Sequence, residues 1–291
     1  MTPRRLIITG DDFGLDDSVN EAIERSHRDG ILNTTSLMVG APAAADAVAR
    51  ARRLPTLRVG LHVVVARDRP VLPAQDIPDL VDATGNLRSN LVEAGIRYFF
   101  RPSIRRQLRS EIAAQFAAFQ RTGLPLDHVN AHNHMHFHPT VLTYILDIGR
   151  DYGVRAIRLP YEPFLPSWRA SRTDFFRRLG TSLFLTPWSA LMRLRIGRCG
   201  LARNDYVFGL YDSGRFDAER VLALLECLPP GVTELYFHPA TAGPKNPPPL
   251  VADYEPAAEL AALVEPRIAE KIRALGIRVI GFGDLTDPPS S

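Results

Sequence analysis

The chain has 291 residues, of which 45% are hydrophobic and 23% are charged, and its formal net charge is +3. These values are typical of a soluble globular protein. Cys199 and Cys227 have no CxxC spacing, which argues against a thiolate metal site or a disulfide framework and favours a reducing compartment. No recognisable nucleic-acid-binding module accompanies the basic residues, so we expect no nucleic-acid partner.

The N-terminal stretch MTPRRLIITGDDFG has only a short apolar run before two carboxylates. We therefore expect no signal peptide. No stretch of the sequence reaches the ~18 apolar residues of a membrane-spanning helix. The expected location is the cytoplasm.

Short β-branched runs alternate with longer helical patterns along the chain. The strands are predicted at residues 5–9, 34–39, 57–65, 126–130, 154–159, 233–237 and 277–282. The helices are predicted at 17–29, 42–53, 103–122, from Pro139 onward, at 217–227 and at 256–275, with a Pro- and Asp-rich loop ending near residue 90. This order predicts a parallel sheet that curls into a deformed or incomplete (β/α) barrel, with an open doubly wound sheet as the alternative. No repeat or linker divides the chain, so we predict one domain over residues 1–291.

Residues 164–202 differ from the rest in composition. They contain both tryptophans, four phenylalanines and seven arginines, but only one acid, Asp174. We predict a helical insertion, which either caps the barrel with solvated arginines or forms an apolar, basic surface for an anionic membrane or a lipid-like substrate. Residues 96–109 (IRYFFRPSIRRQLR) have the same character and favour the second interpretation. A peripheral location at the inner membrane surface therefore stays open.

Reactive side chains of a parallel barrel gather at the carboxyl ends of its strands. Several candidates fall there: Asp11, Asp12, His62, Arg158, His238 and the histidines of DHVNAHNHMHFHP (127–139). Each also has a structural explanation, such as helix capping for the aspartates or core packing for His62. Even-numbered residues 128–138 would project to one side of an extended chain, but Pro139 favours a helix start. We expect one or two of these histidines to bind metal and the others to line the pocket or cap the helix.

A carboxylate and two imidazoles from three strand ends would form a three-ligand metal site with open positions for water and substrate. Such sites are typical of hydrolases. The mixed ligands favour one divalent ion, Zn²⁺ or Mg²⁺, and also permit Mn²⁺ or Co²⁺. Asn33 and Thr35, at the second strand, are predicted either to line the pocket or to serve in a turn.

Six motifs occur in the order seen in the YdjC-like carbohydrate deacetylases, over about residues 5–285. They are ITGDDFGLDDSVNEAI, TTSLMV, VGLHV, HVNAHNHMHFHP, IRLP and YFHP. The sequence is most similar to the branch associated with hopanoid biosynthesis (HpnK-type), through PAAADAVARARRLP, LDHVNAH and SHRDGIL. The resemblance implies a deformed, polysaccharide-deacetylase-like (β/α) barrel and a divalent metal. It also implies removal of the N-acetyl group from a glucosamine-type sugar, either free or in a glycolipid.

The resemblance also implies roles for individual residues. Asp12, His62 and His132 would be the metal ligands. Asp11 would be the general base, oriented by Arg158, and His238 would be the general acid. His134 and His136 stay open between sugar contact and metal ligation. Asn133, Asn130-Ala131 and Ala240 depart from the family's pattern, which affects the details of the sugar pocket but not the ligands.

Other functions stay open at this point. The enzyme could deacetylate soluble chitooligosaccharides, or it could be a metal-dependent phosphoesterase, although such sites usually need more carboxylates or lysines. A non-catalytic membrane-surface protein that binds lipid or metal is a third interpretation. A base and an acid at separate strand ends argue against it. A homodimer is also compatible with the sequence.

Overall fold

The structure is a computed structural model, and it describes residues 3–241 and 254–286. All strand pairings of its sheet are parallel, in the order β4-β3-β2-β1-β6-β5, and β7 pairs with the amino-terminal part of β1. The strands are β1 Arg4–Phe13, β2 Thr34–Leu37, β3 Arg58–Val63, β4 Val129–Ala131, β5 Tyr206–Phe208, β6 Gly231–Phe237 and β7 Arg278–Val279.

A short extended segment closes the gap between β4 and β5. Val129 of β4 forms a parallel bridge with Ile157, and Ala156 forms one with Ala202, just before β5. The predicted strand at 154–159 is therefore reduced to two bridged residues. Its ladder stops because the side-chain amide of Asn204 bonds both backbone groups of Leu159, accepting from its N–H at 2.7 Å and donating to its carbonyl at 2.8 Å. These bridges confirm the predicted deformed (β/α) barrel.

Helices follow most of the strands. They are α1 Asp17–Arg28, α2 Ala44–Arg52, α3 Leu91–Phe100, α4 Pro102–Arg121, α5 Pro139–Asp151, α6 Phe164–Ser171, α7 Phe175–Arg198, α8 Ala218–Cys227, α9 Pro256–Leu263 and α10 Pro266–Ala274. The predicted starts near residue 17 and at Pro139 are confirmed. Asp16 caps α1 by accepting from two backbone N–H groups, and His138 caps α5 by accepting from the Thr140 N–H.

Several predicted bounds differ from the structure. The single helix expected over 256–275 is two helices, because Pro266 cannot continue α9 and instead begins α10. The first strand is longer than residues 5–9 and runs through the two aspartates to Phe13. The strand predicted at 126–130 is Val129–Ala131, and the chain then turns before Pro139, as expected, into a 3₁₀ helix over His132–Phe137. In addition, α3 and β5 lie outside the predicted elements.

The barrel interior changes from apolar to polar along its axis. At the amino-terminal end of the strands, Ile7, Val232 and Phe282 form a small buried cluster. Thr9 and Asp11 follow Ile7 along β1 at every second position. They face the barrel interior as Ile7 does, because alternate side chains of a strand point the same way. This alternation places the polar side chains at the carboxyl ends of the strands.

The predicted helical insertion corresponds to α6 and α7. Arg178 of α7 is fully buried and donates to Ser167 Oγ of α6 at 2.7 Å and to Asp212 Oδ1 beyond β5 at 2.6 Å. These bonds fix α7 to α6 and to the chain that follows β5. Among residues 3–241 and 254–286, no helix is both long enough and apolar enough to cross a bilayer.

Candidate metal site

A bulge in β1 brings two adjacent aspartates to one site. Neighbouring side chains of a regular strand point to opposite faces, so Asp11 and Asp12 could not normally share a pocket. The pairing of β1 with β2 shifts register between Gly10 and Phe13, and Asp12 has a left-handed backbone with φ of 65°. The bulge thus turns the carboxylate of Asp12 toward the same end of the barrel as that of Asp11.

Asp12 lies between two histidines from neighbouring strands. Its Oδ1 is 3.0 Å from His62 Nε2 and 2.9 Å from His132 Nδ1. The three donor atoms lie within 4.8 Å of one another. His62 is the penultimate residue of β3, and His132 directly follows β4. The structure therefore brings together the three residues predicted as metal ligands.

The hydrogen bonds around His62 determine which ring nitrogen faces Asp12. Asn130 Nδ2 donates to Asp11 Oδ1 at 3.1 Å, so Asn130 Oδ1 is left to accept from His62 Nδ1 at 2.7 Å. When the ring's proton lies on Nδ1, the Nε2 atom of His62 presents a lone pair to the carboxylate of Asp12. This buried Nε2 has no hydrogen-bond partner. Two acceptors at 3.0 Å repel unless a proton or a cation lies between them, so the residues present fit a divalent metal.

The charges of the cluster support the same conclusion. Burial alone raises the pKa of Asp12, but the neighbouring His132 outweighs burial and holds it well below the usual value. Burial alone lowers the pKa of His132, but Asp12 outweighs it, and the pKa ends above the usual value. The pocket therefore keeps a full carboxylate charge that attracts a positive partner.

Asp11 is held as an anion by a different set of partners. Burial raises its pKa, but the charge of Arg158 and its hydrogen bonds outweigh burial and leave it far below the usual range. Arg158 donates to both carboxylate oxygens, at 2.6 Å and 3.0 Å. Ser36 Oγ donates to Oδ1 at 2.7 Å, in addition to the Asn130 amide. Arg158 therefore holds both oxygens of Asp11, and its role as the residue that orients a catalytic base stays a prediction.

Glu234 is a second carboxylate on Arg158, and the sequence reasoning missed it. It lies in the middle of β6, is fully buried, and accepts from Arg158 Nε at 2.9 Å and Nη2 at 2.7 Å. Thr9 Oγ1 also donates to it, at 2.6 Å. The guanidinium thus lies between two carboxylates, with the ring of Tyr236 4.8 Å away. A charged residue inside the apolar strand GVTELYF was the available signal.

His238 lies on the Asp12 side of the cluster, just after β6. Its Nε2 is 3.9 Å from Asp12 Oδ2, and its Nδ1 shares a hydrogen bond of 3.1 Å with Ser213 Oγ. Glu259 holds the backbone by accepting from the His238 N–H at 2.5 Å. Burial lowers the pKa of His238 despite the two nearby aspartates, so the ring is neutral at rest.

The other histidines of the 127–139 segment take separate positions. A turn with left-handed backbone at Asn133 and His134 separates them from His132. His134 Nε2 is 3.0 Å from the hydroxyl of Tyr236. His136 is fully buried, and burial followed by Arg158 lowers its pKa to about 3. His138 caps α5. The capping expectation is confirmed, while contact of His134 and His136 with a sugar stays a prediction.

Asn33 and Thr35 are bonded within the sheet. Asn33 precedes β2, accepts from the Ile8 N–H at 3.0 Å and donates to the Ile280 carbonyl at 2.7 Å. Thr35 is buried, and its hydroxyl donates to the Gly10 carbonyl at 2.7 Å. These bonds tie β1 to β2 and β7, and a role in substrate binding stays a prediction.

Fold and site together define a parallel (β/α)-barrel protein with a candidate Asp-His-His metal site at the carboxyl ends of its strands. The chain belongs to the family of YdjC-like proteins, whose model matches residues 5–274. This match confirms the predicted family, whereas the hopanoid-associated branch stays a prediction.

Two carbohydrate deacetylases are similar to the chain. The one from Brevibacillus brevis is 34% identical over 160 residues, which cover 54% of this chain and 60% of that protein. The one from Vibrio cholerae serotype O1 is 33% identical over 186 residues, which cover 60% of this chain and 68% of that protein. The match thus spans less than two thirds of the Brevibacillus protein.

A solved structure shares the fold over the whole length. A proposed cellobiose-phosphate cleavage protein from Enterococcus faecalis V583 superimposes with a TM-score of 0.74, covering 98% of this chain and 99% of that chain. Because the two are only 22% identical, this likeness concerns the fold alone.

Proposed function

We propose that this protein is a metal-dependent hydrolase that removes the N-acetyl group from an N-acetylglucosamine-type sugar. The observation that carries the proposal is the buried Nε2 of His62, which faces Asp12 at 3.0 Å and has no hydrogen-bond partner. Membership of the YdjC-like family and the carbohydrate deacetylases among its relatives support the choice of reaction. The organisation as one catalytic domain is part of the proposal.

Asp12, His62 and His132 would hold the metal. Bound there, a divalent ion would acidify water and polarise the acetyl carbonyl. The asparagine amide at 130 fixes the tautomer of His62, so that Nε2 keeps its lone pair for the ion. The proposed metal is Zn²⁺ or Mg²⁺, and Mn²⁺ and Co²⁺ are also compatible with these ligands.

Asp11 would act as the general base and take the proton of the attacking water. Its depressed pKa keeps it in the accepting, ionised form. The two hydrogen bonds from Arg158 hold the carboxylate of Asp11 in one orientation and keep it from turning toward Asp12. Arg158 would thus be a positioning residue for the base.

His238 would protonate the departing amine nitrogen. It comes from β6, on the other side of Asp12 from His62 and His132. The Ser213 hydroxyl and the Glu259 carboxylate hold the ring and the backbone in place. Because burial lowers its pKa, the ring is neutral at rest, and the proton that it gives to the nitrogen would be the one that Asp11 takes from the attacking water.

A sugar carried on a hopanoid lipid is the proposed substrate. The similarity of PAAADAVARARRLP and LDHVNAH to the hopanoid-associated branch supports this choice. A soluble chitooligosaccharide is the alternative, and His134 and Tyr236 beside the metal ligands offer polar contacts for either sugar.

The test offers the purified protein N-acetylglucosaminyl hopanoid and N,N′-diacetylchitobiose in parallel. We expect loss of one acetyl group from the hopanoid substrate, measured by mass spectrometry together with released acetate, and no loss after treatment with chelator. Deacetylation of chitobiose alone would overturn the lipid substrate but keep the reaction. Release of phosphate from phosphoesters without acetate from either sugar would overturn the reaction itself.

A further inference from the structure

The solvent-facing side of α7 is apolar over most of its length. Phe176, Leu183 and Leu194 are 85%, 68% and 61% exposed. Their spacing of seven and eleven residues, with Pro187 and Leu191 between them, places them along one line of the helix. Phe184 and Trp188 lie beside this line, and Phe184 is 80% exposed. The opposite side, with Arg178, Met192 and Ile196, is buried against the barrel. The helix therefore has a second apolar stripe that no described residue covers.

A second helix has the same arrangement. In α3, Val92, Ile96 and Phe100 are 73%, 57% and 72% exposed and are spaced four residues apart, so they also form an outward stripe. Ala94 and Tyr98 form the buried side. An isolated exposed leucine is ordinary, but two apolar stripes on separate helices mark an interaction surface.

Both stripes lie beside the segment that carries the metal-site histidine. The ring of Phe99 in α3 is 6.0 Å from that of His138. Trp188 Nε1 of α7 donates to the Phe137 carbonyl at 2.6 Å, and Arg195 donates to the Pro139 carbonyl at 3.2 Å. The two helices therefore contact three consecutive residues just after His132–His136. We use the name rim surface for the exposed apolar residues of α3 and α7.

The charges around the rim surface are strongly positive. Segment 91–109 has one acid, Glu93, and the insertion has one, Asp174. Each is already within ion-pair distance of a neighbouring arginine, Arg97 or Arg177. Eight exposed or partly exposed arginines of these two segments make no ion pair with any described residue: Arg101, Arg105, Arg106, Arg109, Arg169, Arg172, Arg195 and Arg198. Phenylalanine, tryptophan and leucine flanked by arginine are the composition of helices that lie in the interface of an anionic bilayer.

We propose that the rim surface docks this protein on an anionic lipid bilayer, with the metal site beside the contact. With 24 residues, α7 is about 36 Å long, and it would lie along the membrane plane because it is not apolar enough to span it. Docking would place the metal site next to the lipid headgroups, where a sugar carried on a lipid is found.

A second copy of the chain fits this surface less well. Two copies would bring arginines against arginines with no acid to pair them. Gly180 and Pro187 also interrupt the regularity of α7, whereas two helices that pack against each other need large apolar side chains at regular intervals. Lipid phosphates complement the arginines, and a fluid acyl boundary accepts an irregular stripe.

The test is co-sedimentation with vesicles of phosphatidylcholine, with and without phosphatidylglycerol. We expect binding that requires phosphatidylglycerol and weakens at high salt. The variant Leu183→Ser/Leu194→Ser should lower the partition coefficient by roughly tenfold for each leucine. Val279→Ser is the matched control, because Val279 is 39% exposed on β7, next to the amino-terminal part of β1 and away from the site. It should bind as the unaltered protein does.

Equal binding by the leucine variant and the control would overturn the proposal. It would also be overturned if light scattering without lipid showed a dimer that the leucine variant dissociates, since a second copy would then cover the surface. Circular dichroism of both variants excludes misfolding as a cause. Binding is measured without turnover, and Asp12→Asn should still bind vesicles. Failure of the proposed hydrolysis therefore leaves this result intact.

Discussion

Asp11 and Asp12 are adjacent in the chain, but their carboxylates lie in two differently charged halves of one cluster. The Asp11 half contains Arg158 and Glu234, and its hydrogen bonds are made within the protein. The Asp12 half contains His62 and His132. There the buried Nε2 of His62 faces the carboxylate of Asp12 at 3.0 Å without a hydrogen-bond partner.

This difference separates a scaffold from a binding site. Two carboxylates around one guanidinium, with Ser36, Thr9 and Asn130 donating as well, form a network that is stable by itself. In the Asp12 half, His132 Nδ1 hydrogen-bonds Asp12 Oδ1 at 2.9 Å, but His62 Nε2 faces the same oxygen with no hydrogen-bond partner, and a cation would complete that contact. Asn130 touches both halves, since its amide bonds Asp11 and its oxygen bonds His62.

The largest expected effect comes from removing the anion of the Asp12 half. Asp12→Asn should lose the bound metal and with it all measurable deacetylation, because the amide supplies no negative charge to hold the ion. Metal content by mass spectrometry after dialysis checks this result. An Asp12→Asn protein that kept stoichiometric metal would show that Asp12 is not a ligand.

The neighbouring substitution should separate the two halves. Asp11→Asn should keep the metal and lose roughly 10²–10⁴-fold in turnover, the usual cost of removing a general base. Acetate release and metal content measured on the same sample distinguish it from Asp12→Asn. A metal-free Asp11→Asn protein would contradict the assignment of separate roles.

Removing the guanidinium should damage stability more than metal binding. Arg158→Met leaves the buried Asp11 and Glu234 unpaired, and we expect a loss of about 3–5 kcal/mol in the free energy of unfolding at pH 7. The matched control is Arg178→Met, in which a buried arginine loses only one carboxylate, Asp212. Urea denaturation should show a smaller loss for Arg178→Met than for Arg158→Met.

The pH dependence of the same variant checks the cause. The pKa of Asp11 is depressed in the folded protein, so this group stabilises the native protein above its unfolded pKa of about 3.9, and that stability is lost as the pH falls. In Arg158→Met, burial would raise the pKa of Asp11. Lowering the pH would then protonate the unpaired carboxylate and remove part of the variant's loss of stability. The stability gap between the two proteins should therefore narrow as the pH falls toward about 4. A constant gap would exclude the ion pairs as its source.

The smallest effect is expected from substituting Asn130, which hydrogen-bonds both Asp11 and His62. Asn130→Ala removes the closer of the two oxygens that accept from His62 Nδ1, the other being Ser36 Oγ at 2.9 Å. We therefore expect a roughly 10–100-fold loss in metal affinity, typical of removing a group that hydrogen-bonds to a metal ligand. Titration of the apo-protein with Zn²⁺ checks this. Asn133→Gly is the control, since Asn133 lies in the left-handed turn beyond His132, where glycine causes no strain, and it should leave the affinity unchanged.

The spacing of residues in the sequence was sufficient to find most of the cluster. Ile7, Thr9 and Asp11 alternate on β1, and the same step of two joins Val232, Glu234, Tyr236 and His238 from β6 into the loop after it. Read through to the strand ends, this alternation would also have found Glu234. Asn130 is found in the same way, because it pairs directly with His62 across β3 and β4.

The sequence by itself determined most of the strands and helices, the parallel arrangement of the sheet and the strand ends at which the candidate ligands lie. These follow from local periodicity and from the rule that parallel strands end on one side. Only the tertiary structure decided that Asp12 turns inward, because a left-handed backbone at a non-glycine residue persists only when its surroundings impose it. Likewise, only packing decided which stripe of α7 faces the barrel. Apolar residues lie on both sides of α7, and the buried Arg178 selects the inner side through partners that lie 11 and 34 residues away in the chain.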